Sequence, residues 1–157
     1  NVESSEVIMP CGLGARDSLR LEAGMALYGH EIDEDTDPLT AALHFAVSLN
    51  KGEDDPDVER FIGQEALQRI DASGPVRTTT GLLLDGRRAP RQGMAVSAGG
   101  TPVGVVTSGC LSPTLDQPIA IIRVDREHAD PGTPLTVDLG RATVEGTVTA
   151  LPFYKAG

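Results

Sequence analysis

Residues 94–108 read MAVSAGGTPVGVVTS, and they decide the fold class of this chain. Apolar residues alternate with small or polar residues on both sides of Gly99-Gly100, which is typical of half-buried strands. A Gly-Gly pair suits the tight turn between two such strands because glycine adopts a positive φ without steric cost. The stretch therefore predicts a β-hairpin.

Further segments of strand character flank this hairpin. They are residues 76–85, which end in the turn pair Asp85-Gly86, the aliphatic run 119–124, and the segments 135–139 and 144–150 around Gly140-Arg141. Roughly six strands at such short spacing favour a small closed barrel or a sandwich.

The chain before residue 75 has a different character, with helical signals between acidic loops. The patterns predict a helix over 14–24 that Gly24 ends, a short helix from Asp37-Pro38, a strand over 43–49 and a helix over 61–70. We therefore predict a mainly β chain with short helices (the α+β class), divided into residues 1–74 and 75–157.

Charge and composition exclude several classes of protein. The 157 residues have a formal net charge of −10, which argues against nucleic acid or an anionic membrane as partner because both are bound by basic faces. A hydrophobic fraction of 39% is too high for a disordered acidic tail. No apolar run reaches the roughly 20 residues that a membrane span needs.

The sequence predicts no metal site. Asp33, Asp35 and Asp37 have the first three ligand offsets of an EF-hand loop, but Pro38 stands where that loop needs glycine and His44 where it needs glutamate. A solvated acidic loop explains these residues better, and the same holds for the acids of residues 53–59. His30, His44 and His128 do not pair with one another or with cysteine at metal-ligand spacing.

No complete nucleophilic apparatus is visible either. Ser108 lies in VTSGC, which lacks the first glycine of a nucleophile elbow. Cys110 has neutral neighbours in the sequence, so nothing lowers its pKa. Cys11 and Cys110 are expected to be two reduced thiols, and a disulfide between them is the alternative. Gly12-Leu13-Gly14 lacks the third glycine of a dinucleotide-binding turn.

The arginines of the first helix are more informative. Arg16 and Arg20 are four residues apart and should project from one side of that helix, with Tyr28 following. Two guanidinium groups in so acidic a chain suggest that they bind a carboxylate of a ligand. The alternative is that both arginines pair with nearby acids such as Asp17 and Glu22.

Several longer motifs resemble those of one known family. In chain order they are residues 12–24 (GLGARDSLRLEAG), 27–33 (LYGHEID), 61–67 (FIGQEAL), 86–91 (GRRAPR), 104–113 (GVVTSGCLSP), 118–120 (PIA) and 151–155 (LPFYK). Together they resemble the glycine cleavage system T-proteins, the aminomethyltransferases, over almost the whole chain from about Gly12. The family's proteins are much longer, and these motifs belong to their C-terminal part.

The resemblance implies a C-terminal fragment of a tetrahydrofolate-dependent transferase. Residues 1–74 would be the tail of the folate-binding domain plus a connecting segment, and residues 75–157 a C-terminal β-barrel domain. The family takes the one-carbon unit from aminomethyl-lipoyl H-protein, releases ammonia and forms 5,10-methylenetetrahydrofolate. Its aspartate beside the pterin lies in the N-terminal region, so we expect no catalytic residue in this fragment and no activity of the fragment alone.

The resemblance also supplies candidate binding residues. Arg16 matches the arginine of the family's Ala-Arg-Asp motif, which contacts the folate, and a guanidinium suits the carboxylates of the folate tail. Tyr154 and Tyr28 are further candidates, whereas Asp17, Glu22 and Gly24 look structural. Cys110 is expected to be a small buried residue.

The implied co-substrate is tetrahydrofolate, the implied partner is lipoylated H-protein, and no metal is implied. The implied location is the cytoplasm of a bacterium, or the mitochondrion of a eukaryote. Two alternatives stay open: the folate-binding part of a demethylase or of a dimethylglycine or sarcosine dehydrogenase, and a non-catalytic module that docks H-protein through Arg87, Arg88 and Arg91. For those three arginines a solvated turn is the simpler explanation.

Overall fold

The computed structural model describes residues 10–52 and 57–155. The described chain has two α-helices and six strands, which are α1 (Leu13–Glu22), α2 (Gln64–Ser73), β1 (Arg77–Leu84), β2 (Ala95–Ala98), β3 (Thr101–Ser112), β4 (Gln117–Asp125), β5 (Pro134–Asp138) and β6 (Thr143–Thr149). Short 3-10 helices lie at His44–Ala46 and Arg126–His128. The prediction of a mainly β chain with short helices is confirmed.

The six strands form a closed barrel in the order β1-β4-β3-β2-β5-β6, and every pair of neighbours is antiparallel. The pairing of Gly81 with Thr149 belongs to the ladder between β1 and β6 that closes it. Closure leaves none of these strands with an unpaired edge, which is how small antiparallel barrels avoid edge-to-edge association. The strand spacing favoured either a closed barrel or a sandwich, and the structure is a closed barrel.

The two faces of β4 explain its continuous aliphatic run. Ala120, Ile122 and Val124 point into the barrel and join its interior core with aliphatic residues from the other strands. Ile119 and Ile121 point outward and pack with Leu21 of α1 in a second, smaller cluster. A strand that is buried on both faces has no polar side to alternate with.

The C-terminal segment completes the outer cluster. Leu151 and Phe153 pack against it, and the ring of Phe153 lies over Gly81, where a Cβ would be only 2.9 Å from its Cε1 atom. Gly81 is therefore the residue of β1 that lets the segment after β6 approach the barrel wall.

Two predictions for the segment after Asp37 are wrong. Residues 38–42 form turns rather than an α-helix, although the Asp37 carboxylate does accept hydrogen bonds from the N–H groups of Leu39 and Thr40, as a cap would. Residues 43–49 contain a 3-10 helix instead of a strand. Phe45, which alternation placed on the buried face, is 88% exposed, and the segment pairs with no strand of the described chain.

Other boundaries shift modestly. The first helix begins at Leu13 and ends at Glu22, and Gly24 follows with φ +66°, as expected of a stop signal. The second helix starts at Gln64, three residues later than predicted. The Asp85-Gly86 turn does not lead into a hairpin, because β1 pairs with β4 and β6 and not with β2. The Gly140-Arg141 turn does join paired strands, β5 and β6. No helix of the described residues is both long and apolar enough to cross a bilayer.

Candidate functional site

Arg16 stands on the exposed N-terminal half of α1. Its side chain is exposed, and among the described residues it makes no hydrogen bond or ion pair. In a chain with a net charge of −10, a guanidinium that has not been taken up by a neighbouring acid is available for an anionic ligand.

Arg20, one turn further along, has a different role from the one predicted for the pair. Only 7% of its side chain is exposed, and its Nε donates to Asp17 Oδ1 at 2.8 Å. Its Nη1 donates to Glu31 Oε2, also at 2.8 Å, and its Nη2 to Ser108 Oγ at 2.8 Å. The prediction that Arg20 offers a second guanidinium to a ligand is therefore wrong. The alternative of pairing with nearby acids holds for Arg20 with Asp17, but Glu22 is not its partner.

Glu31 is the centre of this buried network. It is fully buried, and its Oε2 accepts from Arg20 and from the N–H of Leu27 at 3.0 Å. Its Oε1 is 2.7 Å from Thr107 Oγ1 and 2.6 Å from Ser108 Oγ. Because a buried carboxylate needs both a counter-charge and hydrogen-bond donors, this full set of partners is what makes its burial tolerable. Glu31 thus ties the loop after α1 to the middle of β3.

The contacts of Ser108 differ from those of a catalytic triad. His30 Nδ1 lies 3.2 Å from Ser108 Oγ, so a serine, a histidine and a glutamate do meet here. However, the same nitrogen is 3.0 Å from the Thr107 carbonyl oxygen, and the serine hydroxyl donates directly to the Glu31 carboxylate. In a catalytic triad the carboxylate would orient the histidine instead. Ser108 is also only 3% exposed, which keeps it from a substrate.

Glu22 makes a second buried connection between α1 and β3. Its carboxylate accepts a hydrogen bond from Ser112 Oγ, and Thr114 donates to it through N–H at 3.0 Å and through Oγ1 at 2.8 Å. Burial alone would raise the pKa of Glu22, but these donors hold it below its ordinary value of 4.5. The prediction that Glu22 is structural fits this arrangement, with hydroxyl and amide partners in place of an ion pair.

Of the two candidate tyrosines, Tyr154 contacts the C-terminal end of α1 and Tyr28 follows α1 in the chain. The N–H of Tyr154 donates to the carbonyl oxygen of Glu22 at 3.0 Å, and the Tyr154 side chain is 46% exposed. Tyr28 follows α1 in a short bridge with Ile32 and is 67% exposed. Both rings are thus accessible, as a ligand contact requires.

A cavity of about 720 Å³ opens beside the same end of α1. Its walls are mostly apolar, and they include Met25, Ile32, Leu43, Phe45 and Leu151. Glu31 and Thr79 also line the cavity, and the buried Thr79 Oγ1 has no hydrogen-bond partner among the described residues. Size and lining are those of a small-molecule site.

The remaining candidates have ordinary structural roles. Asp33 accepts hydrogen bonds from Asp35 N–H and from Thr36 Oγ1, so its carboxylate organises its own turn. No disulfide joins Cys11 to Cys110, and burial, with a smaller effect of Asp17 and Glu22, raises the pKa of Cys110 to about 11. In residues 10–52 and 57–155, no cluster of three or more His, Cys, Asp or Glu could hold a metal ion. The acids of residues 53–56 lie outside the described residues.

The basic cluster on the loop after β1 is less available than its sequence suggested. Arg87 binds both carboxylate oxygens of Asp116, at 3.0 and 2.8 Å, and its hydrogen bonds and charge lower the pKa of that aspartate. Arg88 and Arg91 are exposed.

The sequence analysis did not predict the central residue, Glu31, or its contacts with Ser108 and Thr107. Glu31 was noticed only as part of the LYGHEID motif. The available signal in the sequence is a single acid between Leu27 and Ile32. The role of such an acid can be assigned only when a buried cation, here Arg20, is known to face it.

The fold agrees with comparisons to known proteins. Residues 77–155 match the family model described as "Glycine cleavage T-protein C-terminal barrel domain", and residues 2–51 match "GCVT N-terminal domain". The closed barrel is thus of the class that the first of these models describes. The chain belongs to the glycine cleavage T-protein family.

Individual relatives are similar over nearly the whole chain. An aminomethyltransferase of Symbiobacterium thermophilum is 46% identical over 149 residues, and one of Saccharopolyspora erythraea is 48% identical over 149 residues. These matches cover 95% and 94% of this chain. The crystal structure of glycine cleavage system aminomethyltransferase T from Bartonella henselae has a TM-score of 0.82 at 38% identity and covers 91% of this chain. The chain spans 38–39% of the length of these three relatives.

Proposed function

We propose that this chain is the C-terminal part of a tetrahydrofolate-dependent aminomethyltransferase of the glycine cleavage system. The reaction moves the aminomethyl carbon from the sulfur of the lipoyl arm of H-protein to tetrahydrofolate. It yields 5,10-methylenetetrahydrofolate, ammonia and the reduced lipoyl arm. Membership of the T-protein family supports this reaction, and the named relatives are aminomethyltransferases.

The observation that carries the proposal is the exposed guanidinium of Arg16 on α1, which makes no hydrogen bond or ion pair within residues 10–52 and 57–155. Folate has a flat heteroaromatic end and a tail that bears carboxylates. A charge-assisted hydrogen bond from arginine is the strongest contact that a side chain offers such a carboxylate. The mostly apolar cavity near Met25 suits an aromatic group. Tyr154 and Tyr28, both exposed, are proposed as further contacts of the ligand.

We propose a separate role for each of the two parts of the chain. Residues 1–74 belong to the folate-binding domain with its connecting segment, and residues 75–157 are the barrel domain. We place no catalytic residue in either part. The carboxylate that assists the attack of the folate nitrogen is expected in the region of the relatives that this chain does not span, so residues 1–157 alone should be inactive.

The partners follow from the same proposal: lipoylated H-protein, with tetrahydrofolate as co-substrate and no metal. Because the named relatives are bacterial, we expect the protein in a bacterial cytoplasm. A docking-only module that uses Arg87, Arg88 and Arg91 has less support, since Arg87 is already bound to Asp116 through both of its terminal nitrogens.

The test is the affinity for tetrahydrofolate of the protein as encoded in its genome, measured by titration calorimetry. Arg16→Ala should weaken binding by roughly 1.5–3 kcal/mol, the usual worth of a hydrogen bond to a charged group. Arg69→Ala, which removes another exposed arginine on α2, is the matched control and should leave the dissociation constant unchanged. An unchanged constant for Arg16→Ala would contradict the assignment.

A further inference from the structure

Helix α1 has three buried residues, of which one, Leu21, is apolar and two, Arg20 and Glu22, are charged. Of its three leucines, only Leu21 is buried, whereas Leu13 is 86% and Leu19 65% exposed. A single buried apolar side chain holds a helix against the barrel but does not fix its rotation or its position along its axis, because the hydrophobic effect is not directional. Its exact placement on the barrel must therefore come from hydrogen bonds.

Two buried groups supply these directional contacts. Arg20 reaches Ser108 on β3, and Glu22, two residues further along, reaches Ser112 at the end of the same strand. Thr114, in the turn after β3, adds an N–H and a hydroxyl to the Glu22 carboxylate. A helix held to one strand at two successive places can neither slide nor rotate without breaking one of them.

Glu22 is also connected to the end of the described chain. Its backbone carbonyl oxygen accepts the N–H of Tyr154 at 3.0 Å. The same residue therefore fixes α1 through its side chain and the segment of Tyr154 through its backbone. Arg16 lies six residues before Glu22, about 9 Å along the axis of a regular helix, so its position follows rigidly from that of Glu22.

We propose that Glu22 is a positioning residue for the ligand. It holds α1 on β3 in the one placement that directs the guanidinium of Arg16 at the anionic tail of the folate. This inference rests on the proposed function and deepens it, since it assigns binding geometry to a carboxylate that cannot itself touch an anion favourably. Preorganised supports of this kind determine how well an exposed contact residue performs.

The experiment is a double-mutant cycle between Glu22 and Arg16 in the protein as encoded, with the dissociation constant of tetrahydrofolate as readout. Glu22→Gln keeps the shape of the side chain and removes its charge. We expect it to raise the dissociation constant roughly fivefold to tenfold in the presence of Arg16 and less than twofold in Arg16→Ala, within the range of coupled pairs. A purely structural role would lower the unfolding midpoint and leave this coupling at zero.

A second variant guards against a folding defect in Glu22→Gln. Thr114→Val is nearly isosteric, lies at an exposed position and removes one donor from the Glu22 carboxylate; it should raise the constant in the same direction by a smaller factor. Glu145→Gln, an exposed glutamate on β6, should change nothing.

The outcomes separate the two proposals. If Arg16→Ala weakens folate binding but Glu22→Gln and Thr114→Val do not, or act equally in both backgrounds, the positioning role of Glu22 is wrong and the proposed function stands. If Arg16→Ala itself has no effect, the assignment of Arg16 in the proposed function is wrong, and the inference about Glu22 is lost with it.

Discussion

Arg20 and Ser108 are 88 positions apart in the sequence, yet Arg20 Nη2 donates to Ser108 Oγ at 2.8 Å in the buried layer between α1 and β3. The contact joins the two regions that match different family models, residues 2–51 and residues 77–155. Buried polar networks of this kind contribute little net stability compared with apolar packing, but breaking one partner out of them is costly. The network therefore specifies how the helix sits on the barrel more than how tightly it is held.

Removing Glu31 should destabilise the protein strongly. Glu31→Ala leaves the guanidinium of Arg20 buried without its main counter-charge, and also leaves Ser108 and Thr107 without their shared acceptor. We expect a loss of about 3–5 kcal/mol in the free energy of unfolding, typical of one partner removed from a buried pair. Urea denaturation followed by circular dichroism measures it.

The control for Glu31 is an ion pair that water already surrounds. Asp116→Asn breaks the pair with Arg87, in which the side chains are 73% and 66% exposed. Because solvent screens this pair, its urea midpoint should coincide with that of the unchanged protein. A Glu31→Ala midpoint that also coincides would show that the buried network is dispensable.

Acid should weaken the attachment of α1 through Glu22. Since hydrogen bonds from Ser112 and Thr114 hold the folded-state pKa of Glu22 below 4.5, the group contributes stability above its unfolded pKa, and this contribution is lost as the pH falls through the folded value. The free energy of unfolding should therefore fall less steeply in Glu22→Gln than in the unchanged protein between about pH 5 and about pH 3. Parallel curves for the two proteins would contradict this account, and Glu145→Gln serves as the control.

Cys110 should react slowly with alkylating reagents. Burial, together with the charges of Asp17 and Glu22, raises its pKa to about 11, so only about 0.1% of it is thiolate at pH 8. In a Cys11→Ser background, iodoacetamide should modify the folded protein at least about 100-fold more slowly than the urea-unfolded protein. Mass spectrometry follows the reaction. Equal rates would show that the Cys110 thiol is not buried and that its pKa is not raised.

Gly81→Ala should disturb the contact between β1 and the C-terminal segment. The added Cβ would lie 2.9 Å from Phe153 Cε1 and 2.9 Å from the carbonyl oxygen of Thr149, closer than real Cβ contacts come. We expect a loss of about 1–3 kcal/mol in stability, as for other overpacked sites. Gly14→Ala is the control: it lies in α1 with no atom within 4 Å of the new Cβ, so it should be neutral or gain up to about 1 kcal/mol.

The strands could be read from the sequence because each has a local signature. Alternation around Gly99-Gly100 and around Gly140-Arg141 marks two hairpins that the structure contains. The order of the strands could not be read, since nothing local says that β1 lies between β4 and β6. The segment 43–49 shows that alternation alone does not predict a strand. Its apolar residues have a period of two, but it forms no strand, because a strand also needs a neighbouring strand to pair with.

The site was predictable only in part, for a related reason. Arg16 and Arg20 have the same residue type and a spacing that places them on one side of a helix, so the sequence predicted the same role for both. They differ in the structure because Glu31 and Ser108, which are distant in the sequence, contact Arg20 and bury it, whereas Arg16 is exposed. The burial of a charged group depends on partners that only the tertiary structure supplies.

The closure of β1 onto β6 has a consequence for how the protein is made. Strand β1 is synthesised first, but its partners β4 and β6 begin at Gln117 and Thr143. During translation β1 must therefore wait with both edges unpaired while β2 and β3, which follow it, can already form their hairpin. The ribosome must complete β6 before the barrel can close, so a nascent chain that stalls before Thr143 would present an open sheet to chaperones and to other chains.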